Sequence, residues 1–206
     1  ADHARRVADF PGALPVLVDA LATGGADVEP CLEDVAANSA YILERIASAG
    51  PKSTRCVAEV PGALTTLVAS VAAGGPTAAP TLQAAAADSA RVLAHSVSAG
   101  VELVERVAEV PGVLATAIAT VAAGGTAAAP SLQDAAANSA AVLARIACAG
   151  PHYGRRVAEV PGALTTLVTA VAVGGAAAVP SLQGAAGNSA STLAHIASAG
   201  PKPAER

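Results

Sequence analysis

The chain repeats itself every 50 residues from end to end, and that period constrains its fold more than any other property. Val7, Val57, Val107 and Val157 recur at this spacing, as do Pro11-Gly12, Pro61-Gly62, Pro111-Gly112 and Pro161-Gly162. The pairs Gly24-Gly25, Gly74-Gly75, Gly124-Gly125 and Gly174-Gly175 follow the same spacing, and so do Pro30, Pro80, Pro130 and Pro180. A fixed period of roughly 20–50 residues marks solenoids, propellers and arrays. The units run 1–50, 51–100, 101–150 and 151–200, and PKPAER at 201–206 aligns with PKSTRC at 51–56 as the start of a further unit. The expectation is a single solenoid segment over 1–206, read as part of a longer chain or complex.

Each unit divides at its Gly and Pro positions into three helical segments. In the third unit the first segment covers about residues 102–109 and is stopped by Pro111-Gly112, since proline cannot continue a helix and glycine favours its end. The second, about 112–123, places Leu114, Ile118 and Val121 on one stripe, as Leu64, Leu67, Val68 and Val71 do one unit earlier. The third begins near Pro130-Ser131, with Ser131 and Asp134 spaced as a capping box, and runs to Ala147. Leu132, Ala136, Ala140, Leu143 and Ile146 form its buried stripe. Alanine and leucine are strong helix formers and no β-branched alternation occurs, so the fold class is all-α. One such unit cannot bury its apolar stripe alone, whereas stacking on neighbours closes the core. The expected architecture is a right-handed α-solenoid of four stacked three-helix units.

Composition narrows the functions open to such a fold. The chain is 53% hydrophobic and 14% charged, against about 25% charged in ordinary soluble domains. A net charge of −4 with pI near 5.5 supplies no field that would draw it to nucleic acid. From Val160 to Pro201 there is no Asp, Glu, Lys or Arg, but Pro161-Gly162, Gly174-Gly175 and Pro180 cut that stretch below the ~18–20 apolar residues a membrane span needs. No membrane insertion is expected. Unit one is the opposite, with eight acids against three arginines. Cys31, Cys56 and Cys148 occupy three different repeat positions, so they form neither a disulfide framework nor a zinc motif. An intracellular, reducing compartment, the cytoplasm first, fits that usage. His3, His95, His152 and His195 do not fall at metal-ligand spacing, and no nucleophile elbow, phosphate loop or carboxylate pair is present. The reading is no enzyme, no metal and no cofactor.

Val157-Ala-Glu-Val-Pro-Gly-Ala-Leu-Thr-Thr-Leu-Val168 resembles the armadillo repeat pattern V-x-E-A-G-A-L-P-x-L-V, and Gly12-Ala-Leu-Pro-Val-Leu-Val18 supplies its proline. Ala140-Ala-Val-Leu-Ala-Arg-Ile-Ala147 and Tyr41-Ile-Leu-Glu-Arg-Ile-Ala47 are similar to its third-helix signature A-A-x-x-L-x-N-I-A. The resemblance covers every unit, although these units are longer than the family's, with the excess between the Gly-Gly pair and the following proline. A HEAT-like or otherwise divergent α-solenoid is the alternative. The resemblance implies a noncatalytic protein-interaction scaffold whose third helices line a concave groove. In peptide-binding members an asparagine ladder holds the ligand backbone, with tryptophans one turn earlier. Those positions carry Arg45, His95, Arg145 and His195, and Tyr41, Arg91, Ala141 and Ser191, which argues against nuclear-import-type recognition of basic peptides.

A polar stripe on the third helix remains, at positions 34, 38, 41, 45 and 48 of the first unit, opposite Leu43 and Ile46. The candidate ligand-binding residues are Asn38, Tyr41, Arg45, Asp88, Arg91, His95, Asn138, Arg145, Asn188 and His195. Amide and guanidinium donors in such rows suit a protein or an extended, acidic or neutral peptide. The competing readings are a solvated helix face or a structural spacer. The recurring acids Asp9, Glu59, Glu109 and Glu159, with arginines at Arg5, Arg6, Arg55, Arg106, Arg155 and Arg156, are expected to pair across unit boundaries and set register.

Overall fold

A computed structural model describes residues 2–24, 29–175 and 178–200. The further unit expected over 201–206, Asp27 of the acidic first unit, and parts of two Gly-Gly to Pro connections lie outside the described residues. Twelve α-helices follow one another among those described, three to a unit. In order they are α1 Asp2–Ala8, α2 Ala13–Ala22, α3 Pro30–Ala47, α4 Pro51–Glu59, α5 Ala63–Ala73, α6 Pro80–Ser98, α7 Val101–Ala108, α8 Val113–Ala123, α9 Pro130–Cys148, α10 Pro151–Glu159, α11 Ala163–Val173 and α12 Pro180–Ser198.

The Pro-Gly pair does more than stop the first helix. In each unit the backbone N–H of the residue after glycine donates to the carbonyl of the residue before proline, as from Val113 to Val110 at 3.2 Å and from Ala63 to Val60 at 3.1 Å. Gly12, Gly62, Gly112 and Gly162 have φ between 78° and 81°. That is a type II turn, with proline at its second residue and a left-handed third residue that only glycine adopts without strain. The turn sets the second helix at 92°, 87° and 94° to the first in units two, three and four.

Each third helix opens with its proline in the first turn, where the missing N–H removes no hydrogen bond. The preceding residue is driven to extended backbone, with ψ between 143° and 156° at Glu29, Ala79, Ala129 and Val179. The capping box expected from Ser131 and Asp134 does not form, because the residue before the helix is Ala129. Both side chains reach instead across a unit boundary. Ser131 Oγ donates to Gln83 Oε1 at 3.4 Å, and Asp134 Oδ1 accepts from Ser181 Oγ. Thr81 Oγ1 makes the same bridge to Glu33 Oε2 at 2.9 Å.

The second Gly-Gly function is steric. A Cβ on Gly74, Gly124 or Gly174 would lie within 2.1–2.2 Å of the Cβ of Ala86, Ala136 or Ala186. Glycine is needed there because the end of the second helix is pressed onto the third, and φ at Gly124 is an ordinary −82°.

Third helices pack side by side through the stack, α3 on α6, α6 on α9 and α9 on α12, with the second helices forming a parallel layer on one side. The expected stripes are in the core. Leu132, Ala136, Ala140, Leu143 and Ile146 are buried, as are Leu64, Leu67, Val68 and Val71, while Leu114 is half-buried beside buried Ile118 and Val121. Fully burying each Leu or Ile contributes about 1.5–3 kcal/mol, and alanine much less. Four leucines and isoleucines of the third helices, Leu43, Ile46, Leu143 and Ile146, have no exposure and form the apolar spine.

Candidate functional site

Because the third helices stack in register, residues 50 apart line up in rows across the four units. Positions 38, 41 and 45 of the first unit, and their counterparts, face away from the spine. Asn38, Tyr41, Arg45 and Arg145 are exposed, and Asp88, Arg91, His95, Asn138, Asn188 and His195 are half-buried. None of the ten sequence-predicted residues is fully buried, but the His95 Nε2 atom is out of reach of solvent.

Among the described residues, side-chain contacts join the middle of this face. Arg91 Nη1 lies 3.3 Å from Asp88 Oδ1 on its own helix, and Arg91 Nη2 lies 3.9 Å from Asp134 Oδ2 on α9. His95 Nε2 is 3.8 Å from Glu44 Oε1 on α3, within ion-pair range and beyond hydrogen-bond range. Asn138 Nδ2 donates to the Asp134 carbonyl one turn back at 2.9 Å. Three carboxylates, an arginine and a histidine thus meet across α3, α6 and α9. Burial pushes the Asp88 carboxyl above its ordinary value of 3.8; Arg91 opposes that rise, and Glu44 and Asp134 add to it.

Glu44 and Asp134 were not among the predicted residues. Glu44 is 6% exposed, and its signal was a broken repeat, since the other units carry Ala94, Ala144 and Ala194 at that position. Asp134 is the acid of the expected capping box, but its partner, Ser181, is across the unit boundary. The cluster changes the electrostatic reading of the face. Arg91 is committed to two carboxylates, and the exposed arginines are Arg45 and Arg145 on either side of it.

Of the expected arginine–acid pairs across unit boundaries, one is seen at Arg156 and Glu109, and Arg106 meets a backbone carbonyl of the preceding unit instead. Arg156 Nη1 donates to Glu109 Oε1 at 2.9 Å, and Arg106 Nη2 donates to the carbonyl of Ala58 at 2.7 Å. Among the described residues no group of three His, Cys, Asp or Glu side chains could hold a metal ion, and no single helix is long and apolar enough to cross a membrane. Cys31 and Cys148 are exposed thiols and Cys56 a half-buried one.

No family model and no curated protein matches the sequence. The fold is similar to that of a solved structure, "Designed armadillo repeat protein YIII(Dq)4CqI", at a TM-score of 0.61 and 18% identity over 97% of this chain and 83% of that one. The chain has an armadillo-like repeat fold, an all-α solenoid of stacked three-helix units, as its sequence pattern implied.

Proposed function

We propose that the chain is a noncatalytic protein-interaction scaffold and that the face of its third helices is the surface used. The observation that carries this is the continuity of the polar rows, Asn38, Asp88, Asn138 and Asn188 beside Arg45, His95, Arg145 and His195, over an apolar spine. Such rows offer regularly spaced donors and acceptors to a partner at one repeat step per unit. Three thiols, two of them exposed, support a reducing compartment, with the cytoplasm as the proposed location.

A second reading is a receptor for an extended acidic or neutral peptide laid along that face. Exposed Arg45 and Arg145 favour it, because guanidinium groups bind carboxylates in bidentate fashion. The mixed cluster between them suits a ligand that is neutral at its centre and anionic at its flanks.

Photo-crosslinking in the native cell tests the proposal. One photoreactive residue replaces Arg145, and another replaces exposed Ala119 on α8 as the comparison. A discrete adduct from position 145 alone supports the third-helix face. Adducts from position 119 alone, or only within the same chain, overturn it. Competition by short acidic peptides then separates the receptor from the scaffold.

A further inference from the structure

We propose that Glu44 and His95 form a pH-sensitive clasp between the first two units, which fastens α3 to α6 when the imidazole is protonated and loosens them when it is neutral. The contact lies within the stack, between the third helices of adjoining units. It stands whether or not the third-helix face binds a partner.

The Glu44 side chain is only 8% exposed, and a buried carboxylate costs free energy unless a cation or hydrogen bonds compensate it. Among the described residues its ion-pair partner is His95, whose Nε2 lies 3.8 Å from Oε1, beyond hydrogen-bond range. Arg91 is directed elsewhere, with Nη1 on Asp88 and Nη2 on Asp134. Arg45, next in sequence to Glu44, is exposed. His95 mirrors this state, because its Nε2 is out of reach of solvent and has no hydrogen-bond partner.

A neutral imidazole leaves both groups unsatisfied. If Nε2 carries no proton, its lone pair faces a carboxylate; if it carries one, the donor is uncharged and too distant to bond. The imidazolium holds a proton on each nitrogen. Its Nε2–H and its charge then face Glu44, and a small approach of α3 to α6 makes a charge-assisted hydrogen bond that satisfies both buried atoms. Histidine ordinarily changes charge between about pH 5 and 8, so mild acid closes this boundary and neutral pH relaxes it. The clasp fixes the spacing of the third-helix rows beside Arg45, so pH sets how rigidly those rows are presented.

Few other groups surround the imidazole. On α3 exposed Tyr41 and Arg45 flank Glu44, on α6 there are Asp88 and Arg91, and on α9 Asp134 and exposed Arg145. The helix α5 has no titratable residue, and the charged side chains of α4 and α7 are all exposed, beside the half-buried thiol of Cys56. The repeat also supplies a comparison. Ala94, Ala144 and Ala194 stand where Glu44 does, and Arg145 and His195 where His95 does. Of the three boundaries, only the first pairs an acid with a histidine.

Hydrogen exchange of the full 206-residue chain at about pH 5.5 and about pH 7.5, on either side of the histidine range, tests the clasp. With the intrinsic exchange rates divided out, protection in α3 is expected to rise by about tenfold at the lower pH, the effect of one charge-assisted hydrogen bond. No comparable rise is expected in α12. Glu44→Ala, which installs the residue of the other units, abolishes the rise. His95→Arg, which installs the arginine of units one and three, keeps α3 protected at both pH values. Asp88→Asn, again the residue of the other units, leaves the rise in place. Equal α3 protection at both pH values in the wild-type chain overturns the proposal. So does a rise that survives Glu44→Ala, persists in His95→Arg or disappears in Asp88→Asn.

Discussion

The guanidinium of Arg156 donates to the backbone carbonyl of Ala108 at 3.0 Å, joining the start of one unit to the end of the first helix in the unit before. The acceptor belongs to the last turn of α7, whose carbonyls have no partner within the helix. A cation there also meets the negative end of the helix dipole. Its second nitrogen reaches Glu109, but that carboxylate is largely exposed and such a pair is worth little. The carbonyl contact is therefore the stabilising one. Arg156→Ala is expected to lower stability by about 1–2 kcal/mol, and Glu109→Ala by no more than about 0.5 kcal/mol. Chemical denaturation of the two variants decides it, with equal losses counting against the carbonyl's primacy.

The same reasoning singles out the boundary that lacks the arginine. Arg106 makes this contact to Ala58 and Arg156 to Ala108, but unit two carries half-buried Cys56 at the equivalent position. Cys56→Arg should supply the missing bond to the carbonyl of Ala8 and raise the stability of the first boundary by about 1 kcal/mol. Hydrogen exchange in α1 and α2 is the sensitive readout, and it should slow in the variant while α11 and α12 are unchanged.

Why these contacts were only partly legible in the sequence follows from what a repeat records. Periodic residues such as Leu43, Leu143, Ile46 and Ile146 announce the spine, because each unit meets the same environment and the 3.6-residue stripe survives. The Pro-Gly corner was visible as a break, yet its type II geometry emerges from the bond between Val113 and Val110. Contacts between units are harder to read, since two residues about 48 apart share no local pattern. Ser131 and Asp134 looked like a cap because they are three apart, and each turned outward to a neighbouring helix. Glu44 was legible only as a departure from the repeat, and departures gain meaning once the facing residue, here His95, is known.

Steric need and conformational freedom separate cleanly at one Gly-Gly pair. A Cβ on Gly124 would sit 2.2 Å from the Ala136 Cβ and 3.2 Å from the Leu132 carbonyl, while one on Gly125 meets nothing within 4 Å. Gly124→Ala should cost about 1–3 kcal/mol by overpacking, and Gly125→Ala should be nearly neutral. Adding Ala136→Gly to Gly124→Ala removes the clashing methyl and should recover part of the loss, less the cost of about 1 kcal/mol for glycine in a helix interior. Urea melts of the four chains form a double-mutant cycle. An additive cycle would show that the contact between the helix-two end and α9 is looser than the distances indicate.

Asp88 offers a prediction whose sign depends on pH. Its carboxyl is half-buried on α6, near Arg91 on its own helix and between Glu44 on α3 and Asp134 on α9, with His95 facing Glu44. Burial is the largest influence and raises the folded-state value above 3.8. At neutral pH the charged form is therefore less favourable in the folded chain than in the unfolded one, and the group detracts from stability. The other units carry asparagine at this position, as Asn38, Asn138 and Asn188. Asp88→Asn should thus stabilise the chain at pH 7 by about 0.5–1 kcal/mol, the usual gain from a consensus substitution. On acidification from the raised folded value toward 3.8, native Asp88 takes up its proton before the unfolded chain does, so stability rises with falling pH across that window. The advantage of the asparagine variant should narrow through the same interval. Thermal melts of both chains at matched pH values check this, and a variant less stable than the parent at pH 7 would mean that the Arg91 ion pair outweighs the burial of the carboxylate.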